Sequence, residues 1–264
     1  MGSPATEANR GSDETQWQVT LSGFYMGKYE VTQKQWYEVM GATQQELQTA
    51  AAPTSTADYG KGDNNPVYYV SWYDALVFCN KLSIKEGLTP AYSISGKTDP
   101  AEWGAIPTSS DAAWNAVTIV DGSKGWRLPT EAQWEYAARG GPSANSSYKI
   151  YSGSDTIDDA AWYSGNNGAG GTDTYGTKEV GTKAPNGLGL YDMSGNVWEW
   201  CWDWYGKYPT TAGTNPAGAS SGSYRVDRGG SWGSTAGGAR SALRFSDTPS
   251  IRYRDLGFRV LRKS

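Results

Sequence analysis

Two rhythms of apolar and polar residues run along this chain. Phe24 to Val31 is dense in aromatic and β-branched residues and predicts a strand. Thr32 follows, with Gln35 three residues on. This capping-box pattern predicts a short helix through Trp36 and Val39-Met40 that stops at Gly41. Residues 43–64 read as a polar loop. Ser71 and Asp74 repeat the N-terminal signal, with Asp in place of Glu or Gln. Behind them Trp72, Ala75, Leu76, Cys79, Leu82 and Ile84 fall mostly on one helical face, and Gly87 ends that helix. Thr130 with Gln133 caps a further helix, Glu131 to Arg139, which runs into Gly140-Gly141. From about residue 143 the texture changes. Short apolar stretches stand between clusters of Gly, Asn, Ser and Thr, with short strands such as Gly189-Leu190-Tyr191 and Gly257 to Leu261. No repeat recurs at a fixed period. Helices early and short strands throughout predict an α+β fold with antiparallel pairing, not a wound parallel sheet. Residues 1–16 are polar and read as a disordered leader or tail, with residues 17–264 forming one domain.

The residue counts narrow the chemistry. The 264 residues include no histidine, two cysteines, 13 tryptophans, 18 tyrosines and 34 glycines. Without histidine there is no Ser-His-Asp triad and no imidazole-ligated zinc, copper or iron. Two cysteines cannot build a four-cysteine zinc site or an iron–sulfur cluster. Mean hydropathy is -0.62, so the core must lean on Trp and Tyr, which bury large areas while keeping a polar handle. A net charge of -4 gives no support to nucleic-acid or anionic-membrane binding. No apolar run is long enough to span a bilayer as a helix.

Three long blocks carry a family resemblance. They are Gly125-Trp126-Arg127-Leu128-Pro129-Thr130-Glu131 through Gly141, Asn186-Gly187-Leu188-Gly189-Leu190-Tyr191-Asp192 through Trp200, and Arg228-Gly229-Gly230-Ser231-Trp232 through Leu256-Gly257-Phe258-Arg259-Val260. Together with Gly27 to Thr32 and Pro66-Val67 to Asn80, they resemble the formylglycine-generating-enzyme (sulfatase-modifying factor) family over roughly residues 20–262. The resemblance implies a C-type-lectin-like fold of that family's subtype. Its oxidising members carry a redox-active cysteine pair between the Arg-Gly-Gly-Ser-aromatic motif and the Leu-Gly-Phe-Arg motif. This chain has no cysteine after Cys201, so formylglycine formation is not expected.

That last interval has a frame and interruptions. The frame is Arg228 to Trp232, Ala236, Ala239 to Ala242, Arg244, Thr248-Pro249, Arg252 and Leu256 to Val260. The interruptions are Asp227, Gly233, Ser234, Thr235, Gly237, Gly238, Leu243, Phe245, Ser246, Asp247, Ser250, Ile251, Tyr253, Arg254 and Asp255. The arrangement resembles the variable region, about residues 225–264, of diversity-generating-retroelement proteins. There, adenines of template codons such as AAC are replaced by any base. The resulting NNC codons cannot encode Lys, Glu, Gln, Met or Trp, and no interruption is one of these. In such a protein Trp232, Leu256 and Phe258 would anchor the core and the arginines would tie loops to carboxylates or carbonyls. Phe245, Ile251, Tyr253 and Leu243 would project as apolar anchors beside Asp247, Arg254 and Asp255, in the manner of a paratope.

Other residues carry alternatives. By resemblance to calcium-binding family members, Asp192 and Glu199 would supply side-chain ligands to a structural Ca²⁺, with Gly195 and Val197 giving carbonyls. The competing reading is a turn whose carboxylates satisfy backbone donors. Trp198, Trp200, Trp202 and Trp204 alternate either as a core strand or as a sugar-stacking platform. The alternation with Glu199 and Asp203 favours the strand. Cys79 and Cys201 read as buried thiols.

The expected protein is non-enzymatic and requires no cofactor. Its C-terminal segment binds a macromolecular ligand, a protein on another cell. It is exported as a surface lipoprotein, touches the membrane only through a lipid anchor, and is monomeric. A formylglycine-generating-type oxidase or a static carbohydrate-binding module are the alternatives.

Overall fold

Capping boxes start the four longest helices. In the computed structural model, which describes residues 1–142, 148–172 and 174–264, these are α1 (Gln33–Met40), α2 (Gln44–Ala51), α3 (Trp72–Lys85) and α5 (Glu131–Ala138). In each, a Thr or Ser hydroxyl accepts from the N3 backbone while the N3 side chain returns to the cap. Helices α4 (Ala112–Asn115) and α6 (Ile157–Ala160) are single turns. Helix α2 corrects the expected polar loop. Thr43 and Glu46 give it the same cap, and its only buried residues are the amides Gln44 and Gln48, so no apolar stripe announces it.

The strands are β1 (Val19–Thr20), β2 (Phe24–Met26), β3 (Tyr92–Ser93), β4 (Thr118–Ile119), β5 (Ala161–Trp162), β6 (Ser194–Gly195), β7 (Trp198–Trp204), β8 (Gly213–Thr214), β9 (Arg225–Arg228), β10 (Arg244–Asp247), β11 (Leu256–Gly257) and β12 (Leu261–Lys263). The largest sheet has the order β10-β9-β7-β11, and the others are two-stranded pairs. The strand predicted over Phe24 to Val31 is shorter than expected: β2 ends at Met26. Gly189 to Tyr191 is a turn closed by Asn186 N–H donating to Leu190, and Gly257 to Leu261 divides between β11 and β12. Pairing is also not uniformly antiparallel. Strands β9 and β10, β7 and β9, β2 and β12, and β3 and β4 run antiparallel, whereas β1–β8, β5–β6 and β7–β11 are parallel.

Tryptophan builds the core. Trp36, Trp72, Trp134, Trp200 and Trp232 are all at most 1 % exposed. Trp72 Nε1 donates to the Cys201 carbonyl (2.9 Å) and Trp200 Nε1 to the Val70 carbonyl (3.0 Å), which locks α3 and its lead-in to β7. Of the face predicted for α3, Trp72, Ala75, Leu76 and Cys79 are buried and Leu82 is half-buried, whereas Ile84, in the last turn, is exposed.

Residues 1–16, expected to be disordered, instead pack on the domain. Ser3 and Glu14 are buried, and Gly2 N–H donates to Glu135 Oε1 (2.8 Å). The buried guanidinium of Arg240 holds this polar segment through Glu7 and Glu14, where local sequence supplies no apolar anchor.

Candidate binding face

The C-terminal segment is held rigid from beneath. After β9 the backbone passes Gly230 at φ 76°, where a Cβ would meet the Gly238 carbonyl at 2.6 Å. Only glycine therefore lets the 233–238 loop close onto the strand end. At Gly257 a Cβ would meet the Val67 carbonyl at 2.4 Å, so that glycine allows β11 to dock. Trp232 is buried against Tyr59 (ring centroids 5.7 Å, stacked) and Tyr175 (4.8 Å, edge-on).

Each of the five frame arginines meets a carboxylate. Arg228 reaches Glu135 (2.5 Å), and Arg244 holds Glu131 through two bonds of 2.6 and 2.9 Å. Arg252 holds Asp74 (2.7 and 3.0 Å), and Arg259 holds Glu199 (2.7 and 2.6 Å). Arg240 lies between Glu7 (2.5 Å) and Glu14 (2.7 and 2.9 Å). Planar forks on carboxylates fix orientation as well as distance, so the frame is pinned to α3, α5, β7 and the N-terminal segment.

The fifteen interrupting positions divide differently from the frame. Gly233, Thr235, Phe245, Tyr253 and Arg254 are exposed. Ser234, Gly237, Gly238, Leu243, Ser246, Asp247, Ser250, Ile251 and Asp255 are half-buried. Frame residues Arg228 to Trp232, Ala239 to Ala242, Arg244, Pro249 and Leu256 to Val260 are all buried. Asp227 departs from the expectation of an outward side chain: it is 1 % exposed, because β9 is flanked on both sides, with Asp227 opposite Trp200 on β7 and Phe245 on β10.

Two patches meet at Asp255. Its carboxylate accepts from Ser231 Oγ (2.7 Å), which also lies 3.2 Å from Ser234 Oγ at the start of the 233–238 loop. On the other side, Phe245 packs on Trp198 with ring centroids 5.4 Å apart and the planes tilted by 32°, and burial, followed by the charge on Asp255, pushes the Asp247 carboxyl up to about 6. Arg254 turns toward Tyr59, with its guanidinium 5.1 Å from the Tyr59 ring and 5.5 Å from that of Trp232. Ser246 lies on the opposite face of β10 from Phe245 and Asp247 by strand alternation. Ile251 leans on the main core and is not a free anchor. No hydrogen bond or ring contact among the described residues ties Leu243 or Ser250 to either patch. Sequence reasoning missed Tyr59 and Asn9, which border the face at Arg254 and Gly237. Both lie far from it in the chain, so no local pattern marks them.

The Asp192–Glu199 turn does not suit a cation. Both Glu199 oxygens are bound by Arg259, and Oε2 also accepts from Trp134 Nε1 (2.7 Å). Asp192 accepts from Gly181 N–H (2.7 Å), and Val197 N–H and the Asn196 amide both donate to Glu30. The guanidinium supplies the positive charge that the expected Ca²⁺ at Asp192, Gly195, Val197 and Glu199 would have brought. Burial still pushes Asp192 up to about 6 and, with the charges of Asp192 and Glu199, raises Glu30 well above the usual carboxylate range. Among the described residues no three His, Cys, Asp or Glu side chains are grouped to hold a metal ion.

The remaining candidates are structural. Trp200 and Trp204 are buried, and Trp202 stacks on Tyr92 at 5.2 Å, so the alternating tryptophans form a core strand and not an open sugar platform. Cys79 and Cys201 are unbridged and buried, and burial raises both thiols far from the reactive range.

The sulfatase-modifying factor enzyme 1-like domain matches residues 1–264. The chaperone protein LppX of Paenibacillus barcinonensis is 40% identical over 256 residues, covering 92% of this chain and 81% of that protein. The formylglycine-generating enzyme of Streptomyces coelicolor is 38% identical over 160 residues, covering 56% of this chain and 50% of the enzyme. Among solved structures, Treponema denticola variable protein 1 superposes with a TM-score of 0.77 at 37% identity, covering 93% of this chain and 86% of that one. No helix among the described residues is long and apolar enough to cross a membrane.

Proposed function

The chain belongs to the sulfatase-modifying factor enzyme 1-like family and has its C-type-lectin-like fold, and from that premise we propose that it is a non-enzymatic ligand-binding protein whose changeable C-terminal residues are displayed on a fixed scaffold. One observation carries this reading. Fourteen of the fifteen interrupting positions are exposed or half-buried, while the frame between them is almost wholly buried. Side chains on such a surface exchange at little cost in folding, because the arginine forks and Trp232 beneath them are untouched. The partner is a macromolecule, a protein on another cell. The protein is exported and held at the cell surface by a lipid anchor, and it acts as a monomer without a cofactor.

The likeness to formylglycine-generating enzymes makes oxidation of a substrate cysteine the second reading. That chemistry needs an accessible thiolate, and both thiols here are buried with raised pKa. Two experiments test the function. Replacing the exposed interrupting residues by another set drawn from NNC-encoded types is expected to preserve the melting transition and change what is bound. Incubation with a sulfatase-motif peptide is expected to yield no aldehyde. Turnover that depends on Cys79 or Cys201 would overturn the reading.

A further inference from the structure

Among the described residues, one part of the face holds three carboxyls, Asp227, Asp247 and Asp255, against the single nearby cation Arg254. Asp227 is 1 % exposed, and neither of its carboxylate oxygens has a hydrogen-bond partner among the described residues. Buried carboxyls are normally paired, so this one calls for an explanation. Residues directly opposite in neighbouring strands share a face, so Asp227 points to the same side of the sheet as Phe245. Asp247, two residues along β10 from Phe245, lies on that face too. Asp255 adjoins it, since the Asp255 carbonyl accepts from Trp198 N–H, and Trp198 is the residue against which Phe245 packs. Burial first, then the charges of Asp247 and Asp255, hold the Asp227 carboxyl well above the usual range.

The chain's own cations are committed elsewhere. Arg225, on the same face of β9, is sandwiched between the rings of Trp72 (3.7 Å) and Trp204 (3.4 Å). Arg228 points to the opposite side and binds Glu135, and Arg252 binds Asp74. Arg254 leans on Tyr59, and burial still holds the Asp255 carboxyl above the usual range although Ser231 and Arg254 both act to lower it. The walls are aromatic: Phe245 is 51% exposed and Tyr253 46%, with Trp198 half-buried between core and surface. Rings beside carboxylates suit an organic cation, which gains from the ring faces as well as from the charge. The three carboxylates are not gathered closely enough to form a metal site.

We propose that this patch is an anchor site for a basic side chain, the ammonium of a lysine or the guanidinium of an arginine, presented by a protein partner. The cation sits between Asp247 and Asp255 at the surface, with its alkyl stem against Phe245 and Tyr253 and the unpartnered Asp227 carboxyl beneath. The inference rests on the reading of this segment as a binding face, and the test separates the two.

A phage-displayed random peptide library is panned at pH 7.5 on the full chain, on Asp247→Asn/Asp255→Asn and on Phe245→Ser/Tyr253→Ser, after thermal melts confirm that all three fold. Peptides selected on the unaltered chain are expected to be enriched in Lys and Arg. They should bind the double Asn variant at least tenfold more weakly and lose binding to the Ser variant. Peptides lost on the Ser variant but lacking basic enrichment, or unaffected by the Asn variant, would overturn the cation anchor and leave the binding face standing. If no selected peptide is sensitive to the Ser variant, both fail.

Discussion

Arg240 holds Glu14 across 226 residues of sequence through two parallel hydrogen bonds of 2.7 and 2.9 Å, with both side chains at most 2% exposed. The contact fastens the N-terminal segment beside the 233–238 loop. Removing one partner of a buried pair leaves the other charge unpaired. Arg240→Ala is therefore expected to cost about 3 kcal/mol in urea unfolding. It should also open residues 4–13 to proteolysis. Unchanged protease resistance would show that the segment is held by something else.

A second fork concerns metal dependence. Arg259 occupies both oxygens of Glu199, the residue that would otherwise lead a cation site. Calcium or a chelator is therefore expected to leave the melting temperature unchanged within about 1 °C, whereas Arg259→Ala should lower stability by about 3–5 kcal/mol. A calcium-dependent rise in melting temperature would contradict the arginine's role.

The exposed and buried aromatics should separate cleanly. Phe245→Ser and Tyr253→Ser are each expected to shift unfolding by no more than about 0.5 kcal/mol. Trp232→Ala, which empties the space between Tyr59 and Tyr175, should cost about 3–5 kcal/mol. Ile251→Ser falls between them, at about 1–2 kcal/mol, because it gives up apolar burial against the main core. Equal losses at Tyr253 and Trp232 would contradict the division between face and frame.

Stability should also depend on pH through Asp203. Burial and then the charge of Glu131 push its carboxyl up to about 7, although one oxygen accepts from Glu131 N–H (2.8 Å). A carboxyl whose pKa is higher in the folded state keeps its proton there when the unfolded chain has lost it. Its contribution to stability is thus full below about pH 4 and falls as pH rises to about 7, by at most about 4 kcal/mol. Asp203→Asn keeps an acceptor oxygen and removes the titration. The variant is expected to gain on the unaltered protein between pH 4 and pH 8, as read from melting curves. Parallel curves would exclude the effect.

Much of this was legible in the chain. The caps at Thr32, Ser71 and Thr130 predicted three helices because their signals are local and have a fixed spacing. Helix α2 carries the same signal at Thr43 and Glu46 but buries glutamine amides, so hydrophobic periodicity passes over it. Two-residue strands such as β5 and β6 leave no pattern at all, since a period of two needs more residues to show. The frame and the interruptions were visible as texture, yet the burial of Asp227 depends on strands on both sides of it. The match between each frame arginine and its acid likewise joins segments that only the fold brings together.

The central claim is that residues 225–264 are a changeable surface on a fixed frame. The most direct measurement is the DNA sequence around the gene. A near copy of the codons for this segment is expected there, with AAC-type codons at the interrupting positions and unaltered frame codons, beside a reverse-transcriptase gene. Absence of such a copy, or differences scattered through Arg228 to Trp232 and Leu256 to Val260, would contradict it.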